Sequence, residues 1–364
     1  MRRSSYIPAS TMTRRCRIEY FLVKIMNMHE ILRQNPEIWD TFTRKEEYNS
    51  PIRDQYDRFP HYASRNRDIF EPKASQYLNE HGYSVKYPHD APFAVCLTHD
   101  IDSVYQSIPS KGLATLCSLK QGKLSEAFHS ITRMRSKKMP LCNFSAIMEV
   151  EEKYDAKSTF FFMTESPGEL DYSYTIEDLE PEIGSIIDRG WEVGLHGGHT
   201  AYLNAQEMRE KKERLEKVTH KSVLGYRNHF LRFKVPDTWE CLSKAGFQYD
   251  ASFGYADCAG FRNGMCHPFR PFNLNTNHEI SILEIPLMVM DGTLDHTYMR
   301  LDNKRKWEFV KMLIDRVAAC HGVFTLLWHN TDMNGKNQEM YENILQYCND
   351  KGAWMTDGCN ICRL

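Results

Sequence analysis

The chain has 364 residues, of which 41% are hydrophobic, 26% charged and 12% aromatic. That composition excludes a disordered or collagen-like chain and leaves ample apolar material for a large core. Lys and Arg number 46 against 48 Asp and Glu, a formal charge of −2, so no general attraction to nucleic acid or an anionic membrane is expected.

Residues 1–28 are Arg-rich, with no acidic residue before Glu19, and read as a basic arm. Residues 29–90 are polar and aromatic without strand alternation. They are expected to form an extension packing on the domain C-terminal to them, with short helices near Glu30–Gln34 and Lys73–Asn79. From Pro92 short apolar runs alternate with helical patterns, the texture of β-α units. The predicted strands are Phe93–Thr98, Ser158–Met163, Trp191–Leu195, Val223–Tyr226, Phe247–Asp250, Ser281–Pro286, Val323–Trp328 and Ala353–Thr356. Helices are predicted over Glu177–Asp188, stopped by Gly190, and over Asn204–Thr219, opened by an Asn cap. Two more are predicted over Asp237–Ala245, ended by Gly246, and over Asn303–Cys320. Residues 91–364 are therefore expected to fold as an α/β domain, a distorted (β/α)7–8 barrel behind a mainly helical or irregular N-terminal extension. No run approaches the roughly 18 apolar residues of a membrane span. The 11 cysteines follow no tandem pattern, and Cys359 to Cys362 lacks the second Cys-x-x-Cys that a zinc ribbon needs. Free thiols and a cytoplasmic location are expected.

Polar residues cluster just after the strands: Thr98-His99-Asp100-Ile101-Asp102, then His196-Gly197-Gly198-His199, then Arg227-Asn228-His229, then His329. In a parallel barrel these ends share one rim, where loops build the active site. Asp100 and Asp102, two apart in extended chain, point to one side. Two nearby carboxylates do not ionise independently unless a cation sits beside them, which suggests one metal ligand and one base. His196 and His199 flank a Gly-Gly loop in which two imidazoles can converge on one ion, and imidazole plus carboxylate is a common shell for zinc. A polar strand-end turn at Asp102 and a simple loop role for His199 are the blander readings.

These motifs, in this order over roughly Pro92 to Leu364, resemble the polysaccharide deacetylase family, the NodB-homology domain of carbohydrate esterase family four. Thr98-His99-Asp100-Ile101-Asp102 is similar to the family's opening Asp motif, and Lys157 to Met163 to its "ATFF" strand. Trp191 to His196 resembles its Glu-[Ile/Val]-Gly-x-His strand, Tyr226 to His229 its Arg-x-Pro, and Leu326 to His329 its closing Leu-x-x-His. The resemblance implies metal-dependent removal of N-acetyl groups from an amino sugar, oligosaccharide or polysaccharide. It implies one divalent ion, zinc with cobalt or nickel as alternatives, held by Asp102, His196 and His199. Asp100 would be the base, paired with Arg227, and His329 the acid, oriented by Asp250 or, less favourably, Asp257. His229, Arg262 and Trp328 would contact substrate. The chain departs from the family at its second motif, where the second His is expected at i+4 and Thr200 stands there. Either His199 slips into place or His229, standing where the family has Pro, turns toward the ion. The alternatives are a metal-independent, allantoinase-like hydrolase of small cyclic amides and a non-catalytic glycan-binding relative.

Overall fold

The computed structural model describes residues 27–105, 139–295 and 297–364. The basic arm expected over 1–28 lies almost wholly outside them. The strands are β1 (Ala94–Ile101), β2 (Thr159–Phe162), β3 (Glu192–Gly197), β4 (Gly225–Asn228), β5 (Tyr249–Asp250), β6 (Phe272–Asn273), β7 (His278–Glu279), β8 (Leu283–Glu284), β9 (Val289–Met290), β10 (Val323–Leu327) and β11 (Trp354–Thr356). β6 and β7 form a small antiparallel hairpin. The rest make one parallel sheet, β8-β5-β4-β3-β2-β1-β10-β9, in which β11 also pairs with β1. Ala94–Cys96 of β1 face β11, and Thr98–Ile101 face β2.

The sheet curls into the distorted barrel that the alternating pattern implies, but its end strands do not pair. The chain between β8 and β9 spans the gap itself. Ile285 N donates to Asp250 O (2.9 Å), Leu287 N to Phe253 O (3.0 Å) and Met288 N to Thr325 O (3.3 Å).

Every residue of β1 is buried, which is why a strand covered on both faces reads as a continuous apolar run. The apolar run stops at Leu97, yet pairing with β2 carries the ladder to Ile101, so Asp100 lies within the strand. Its neighbour His99 faces the opposite way and is enclosed. His99 Nε2 meets Glu151 Oε1 at 2.9 Å and Nδ1 meets Trp328 O at 2.7 Å, while Tyr341 Oη and Trp191 Nε1 donate to the same carboxylate (2.7 and 2.6 Å).

Asn204 caps the helix Ala205–Thr219 by accepting from Glu207 N at 3.1 Å. Gly190 and Gly246 follow their helices at φ 85° and 81°, in left-handed terminating positions. The helix expected over Glu177–Asp188 divides into a 3-10 turn, Ile176–Leu179, and a helix, Glu180–Asp188, with Pro181 in its first turn. The helices Phe144–Glu152 and Gly335–Asp350 and the two-residue β9 go beyond the sequence expectations.

Residues 27–90 share their core with the barrel. Ile31, Leu32, Phe42, Ala74 and Leu78 join one apolar cluster with Phe160, Phe162, Trp239 and Phe269. Beside it, Glu47 accepts from Arg262 Nη2 (2.5 Å), Arg262 Nε (3.1 Å) and Arg44 Nε (2.7 Å), all three side chains being buried. Arg262, expected to meet substrate, is therefore a buried anchor between the extension and the 254–270 loop. Its guanidinium is taken up by Glu47, Gly254 O and the Phe253 ring.

Candidate active site

The C-terminal ends of β1, β3, β4 and β10 bring six expected residues together: Asp100, Asp102, His196, Arg227, His229 and His329. His196 Nε2 lies 3.2 Å from Asp102 Oδ1 and 3.6 Å from Asp100 Oδ2. The register His196↔Arg227 sets β4 beside β3, so Arg227 also faces the interior. Arg227 Nη1 stands 3.6 Å from Asp100 Oδ1, and Nη2 donates to Thr98 Oγ1 at 3.0 Å. Two residues on, His229 returns to the same side, its Nε2 3.8 Å from Asp102 Oδ2. His329 Nε2 reaches the same oxygen at 3.6 Å.

Asp102, His196 and His229 offer ligand atoms within 4.8 Å of one another, a two-imidazole, one-carboxylate set. Its chemistry fits a divalent cation. Asp102 Oδ1, Asp100 Oδ1 and His196 Nε2 are buried without a well-aligned hydrogen-bond partner, a costly arrangement for polar atoms that hold nothing. His196 Nδ1 sits 3.1 Å from Arg227 O, which favours a proton there and leaves Nε2 as the atom that would meet a cation; burial opposes the charged ring, but Asp100 and Asp102 raise its pKa. His229 Nδ1 is fixed likewise by Asp171 Oδ2 at 2.9 Å. Burial opposes ionisation of Asp102, but contact with His196 and the charges of His329 and His229 hold its pKa well below the ordinary carboxylate range.

His199 does not join this set. Its Nδ1 lies 3.8 Å from Asp171 Oδ2, the same oxygen that His229 Nδ1 meets, and its pKa is lowered by burial and Arg232. Among the described residues His229, not His199, stands with Asp102 and His196. The glycines between the histidines are there for room. A Cβ on Gly197 would stand 2.0 Å from Tyr226 Oη, and one on Gly198 would stand 2.3 Å from Glu165 Oε1.

His329 is oriented by Asp291 and not by Asp250. Asp291 Oδ1 lies 2.6 Å from His329 Nδ1, and Asp291 Oδ2 accepts from His329 N at 2.7 Å. Strand order sets Asp291, and not Asp250, beside His329. β10 pairs with β9, whose last residue precedes Asp291, whereas β5 sits in register with β8 and sets Asp250 opposite Glu284. There Asp250 accepts from Ser252 Oγ at 2.6 Å, and burial raises its pKa. Asp257 is taken up by His61 Nδ1 at 2.7 Å. Burial disfavours the charged form of His329, but Asp291, with Asp102 and Asp100 behind, raises its pKa well above 6.5. Trp328, expected at the substrate, is 2% exposed and packs against Tyr341. The side chains of Asp102, His229 and His329 remain 33%, 15% and 18% exposed, so a substrate can reach the three that face the rim.

Three carboxylates at this end are absent from the sequence expectations. Asp291 directly follows a strand, which is a readable signal, but that strand has only two residues. Glu165 ends the Phe160–Met163 run, and burial raises its pKa, with neither oxygen hydrogen-bonded. Asp171 lies in an aperiodic loop and gives no signal.

No family model matches the chain, and no curated protein matches it in sequence. Solved structures do match in three dimensions. A crystal structure assigned as a polysaccharide deacetylase from Mycobacterium smegmatis aligns over 77% of this chain and 92% of its own, at 18% identity and a TM-score of 0.52. A CE4 family pseudoenzyme from Bacillus anthracis aligns over 74% and 65% (12% identity, TM-score 0.38), and the peptidoglycan deacetylase PdaC from Bacillus subtilis over 74% and 89% (13%, 0.33). At such identities the likeness concerns the fold. The curled parallel sheet of this chain is a polysaccharide deacetylase fold.

Proposed function

We propose that the barrel is a metal-dependent hydrolase that removes N-acetyl groups from amino sugars or their oligomers. The observation that carries this reading is the ligand set Asp102, His196 and His229, flanked by Asp100 with Arg227 on one side and by His329 with Asp291 on the other. A divalent cation bound there, zinc in the first instance, supplies Lewis acidity to an amide carbonyl and makes a water acidic at neutral pH.

The protein's own groups then divide the proton transfers. Asp100, whose Oδ2 faces the ligand set, accepts a proton from the attacking water, and Arg227 balances its charge. The carbonyl carbon gains the water oxygen and the C–N bond breaks, giving acetate and an amine. The amine needs a proton to leave, and His329 is placed to supply one. Its raised pKa keeps it protonated at neutral pH, and Asp291 holds Nδ1 so that Nε2 faces the site. His229 acts here as a ligand in place of His199.

The reading is tested by metal analysis of purified protein together with acetate release from N-acetylated chito-oligosaccharides. Stoichiometric zinc, cobalt or nickel and metal-dependent acetate release are expected. Amide hydrolysis that persists after full chelation refutes the metal role, and metal binding without acetate release from any N-acetylated glycan refutes the activity.

A further inference from the structure

The third histidine is the least regular part of the site, and its support comes from outside the barrel. Beyond β4 the chain reverses through Phe230 (φ 59°, ψ 11°) and Leu231 (φ 52°), two consecutive left-handed residues. Side chains with a Cβ disfavour that backbone, and it persists only where the surroundings enforce it. Here they come from residues 54–58. Arg58, 6% exposed, donates from Nη1 to Phe230 O at 2.7 Å. Asp54 fixes Arg58 in turn, accepting from its Nε at 2.7 Å and its backbone N at 3.0 Å. Arg232 Nε donates back to Tyr56 O at 2.8 Å.

The same residues form a continuous planar stack. The Arg58 guanidinium carbon lies 4.7 Å from the Tyr56 ring centre. Tyr56 stacks on Phe230 at 4.5 Å and 18°, and Phe230 stacks on His229 at 3.8 Å and 27°. The last ring in the stack is the candidate metal ligand. With one face covered by Phe230 and Nδ1 held by Asp171, the imidazole of His229 is constrained to present Nε2 toward Asp102.

We propose that the N-terminal extension is a working part of the metal centre: Tyr56 and Arg58, through Phe230, are positioning residues that hold His229 as the third ligand. This rests on the reading of Asp102, His196 and His229 as a metal site. It assigns to residues 54–58 a task that the barrel cannot perform alone, since the barrel's own turn at 230–231 is a strained one.

The test uses the full chain titrated with Co2+, read by competition affinity and by visible ligand-field absorption, which reports the donor set and not the overall fold. His229→Ala is expected to weaken binding at least tenfold and to change the spectrum. Tyr56→Leu and Arg58→Met are expected to weaken binding about 10- to 100-fold, the range for groups that orient a ligand, and to move the spectrum toward that of His229→Ala. Tyr56→Phe, which keeps the stack, is expected to restore both. His61→Ala, which loosens the extension at Asp257 without touching the stack, is expected to bind as the wild type does.

Wild-type affinity and spectrum in Tyr56→Leu and Arg58→Met, with His229→Ala impaired, overturn the proposal and leave the metal site standing. Unaltered cobalt binding in His229→Ala overturns it as well, because the stack then ends on no ligand. A wild-type protein that takes up no cobalt removes the metal reading and this proposal together. Loss of binding in His61→Ala equal to that in Tyr56→Leu overturns the specific role of the stack in favour of general loosening.

Discussion

Arg262 separates a substrate-contacting role from an internal one, and its replacement by alanine is the sharpest check on the fold's organisation. The guanidinium donates to both oxygens of Glu47 and to Gly254 O at 2.9 Å, and its carbon lies 4.5 Å from the Phe253 ring centre. Removing one partner of a buried ion pair costs about 3–5 kcal/mol, because the remaining charge stays buried. Arg44 still faces Glu47, which favours the lower part of that range, while the orphaned Gly254 carbonyl adds about 1–3 kcal/mol. A total near 4 kcal/mol is a large share of the roughly 5–15 kcal/mol that holds a folded protein together. An unfolding entropy of about 2.1 cal/mol/K per residue gives close to 0.8 kcal/mol/K for 364 residues, so Tm should fall by about 5 °C. Urea denaturation and calorimetry of Arg262→Ala read this directly, with steady-state kinetics on N-acetylated oligosaccharides beside them. An unchanged denaturation midpoint combined with a KM raised tenfold or more would refute the reasoning and put Arg262 back in the substrate cleft.

Three further outcomes are expected from other parts of the molecule. Asp291→Asn removes the main influence that raises the His329 pKa, so the alkaline limb of kcat/KM should move to lower pH and kcat should fall about a hundredfold, with metal content unchanged. A raised His pKa gives stability that is full below about 6.5 and lost as pH rises through the folded value, so the variant should also lose stability below that pH. Gly198→Ala places a methyl against the buried Glu165 carboxylate and should cost about 1–3 kcal/mol in urea melts, much of it recovered by adding Glu165→Ala; full additivity of the two changes would contradict the contact. Burial holds the His267 pKa down to about 4, so this residue contributes stability above pH 6.5 that is lost as pH falls to that value. His267→Gln should flatten the pH dependence of stability in that window by at most about 3 kcal/mol, and parallel wild-type and variant curves would argue against a neutral buried imidazole.

What the sequence discloses and what it conceals divide along the range of the interactions involved. Strands such as Val323–Leu327 are legible because burial on both faces demands uninterrupted apolar side chains. Asp100, Asp102, His196 and His329 are legible because ionisable groups at the ends of such runs have few structural uses. The partner of Arg262 is not legible, since Glu47 lies 215 residues away and nothing local marks it. Asp291 escapes notice because β9 has two residues, too few for a pattern, and the nearest carboxylate on a readable strand is Asp250. Adjacency in the sheet decides between them: β9 lies beside β10 and β5 does not.

On the proposed metal reading, the third ligand shows how one irregular position enlists a second part of the chain. With Thr200 at i+4 and His199 turned to Asp171, the β3 loop delivers one imidazole to the site. The adjacent strand can replace the missing one, because β4 runs parallel to β3 in a register that puts Arg227 beside His196 and His229 just beyond. A residue that continues straight past a strand end leaves the rim, however, so the chain must reverse immediately after His229. It does so through Phe230 and Leu231, which carry the left-handed backbone that glycine would adopt more readily. A glycine at 230 would relieve the backbone but would leave His229 without its stacking partner. Phe230 gives up local comfort for a ring that Tyr56 and Arg58 can grip. If His229 is the third ligand as proposed, moving the ligand by one strand ties the site to residues 54–58 and couples the extension to the barrel through one imidazole.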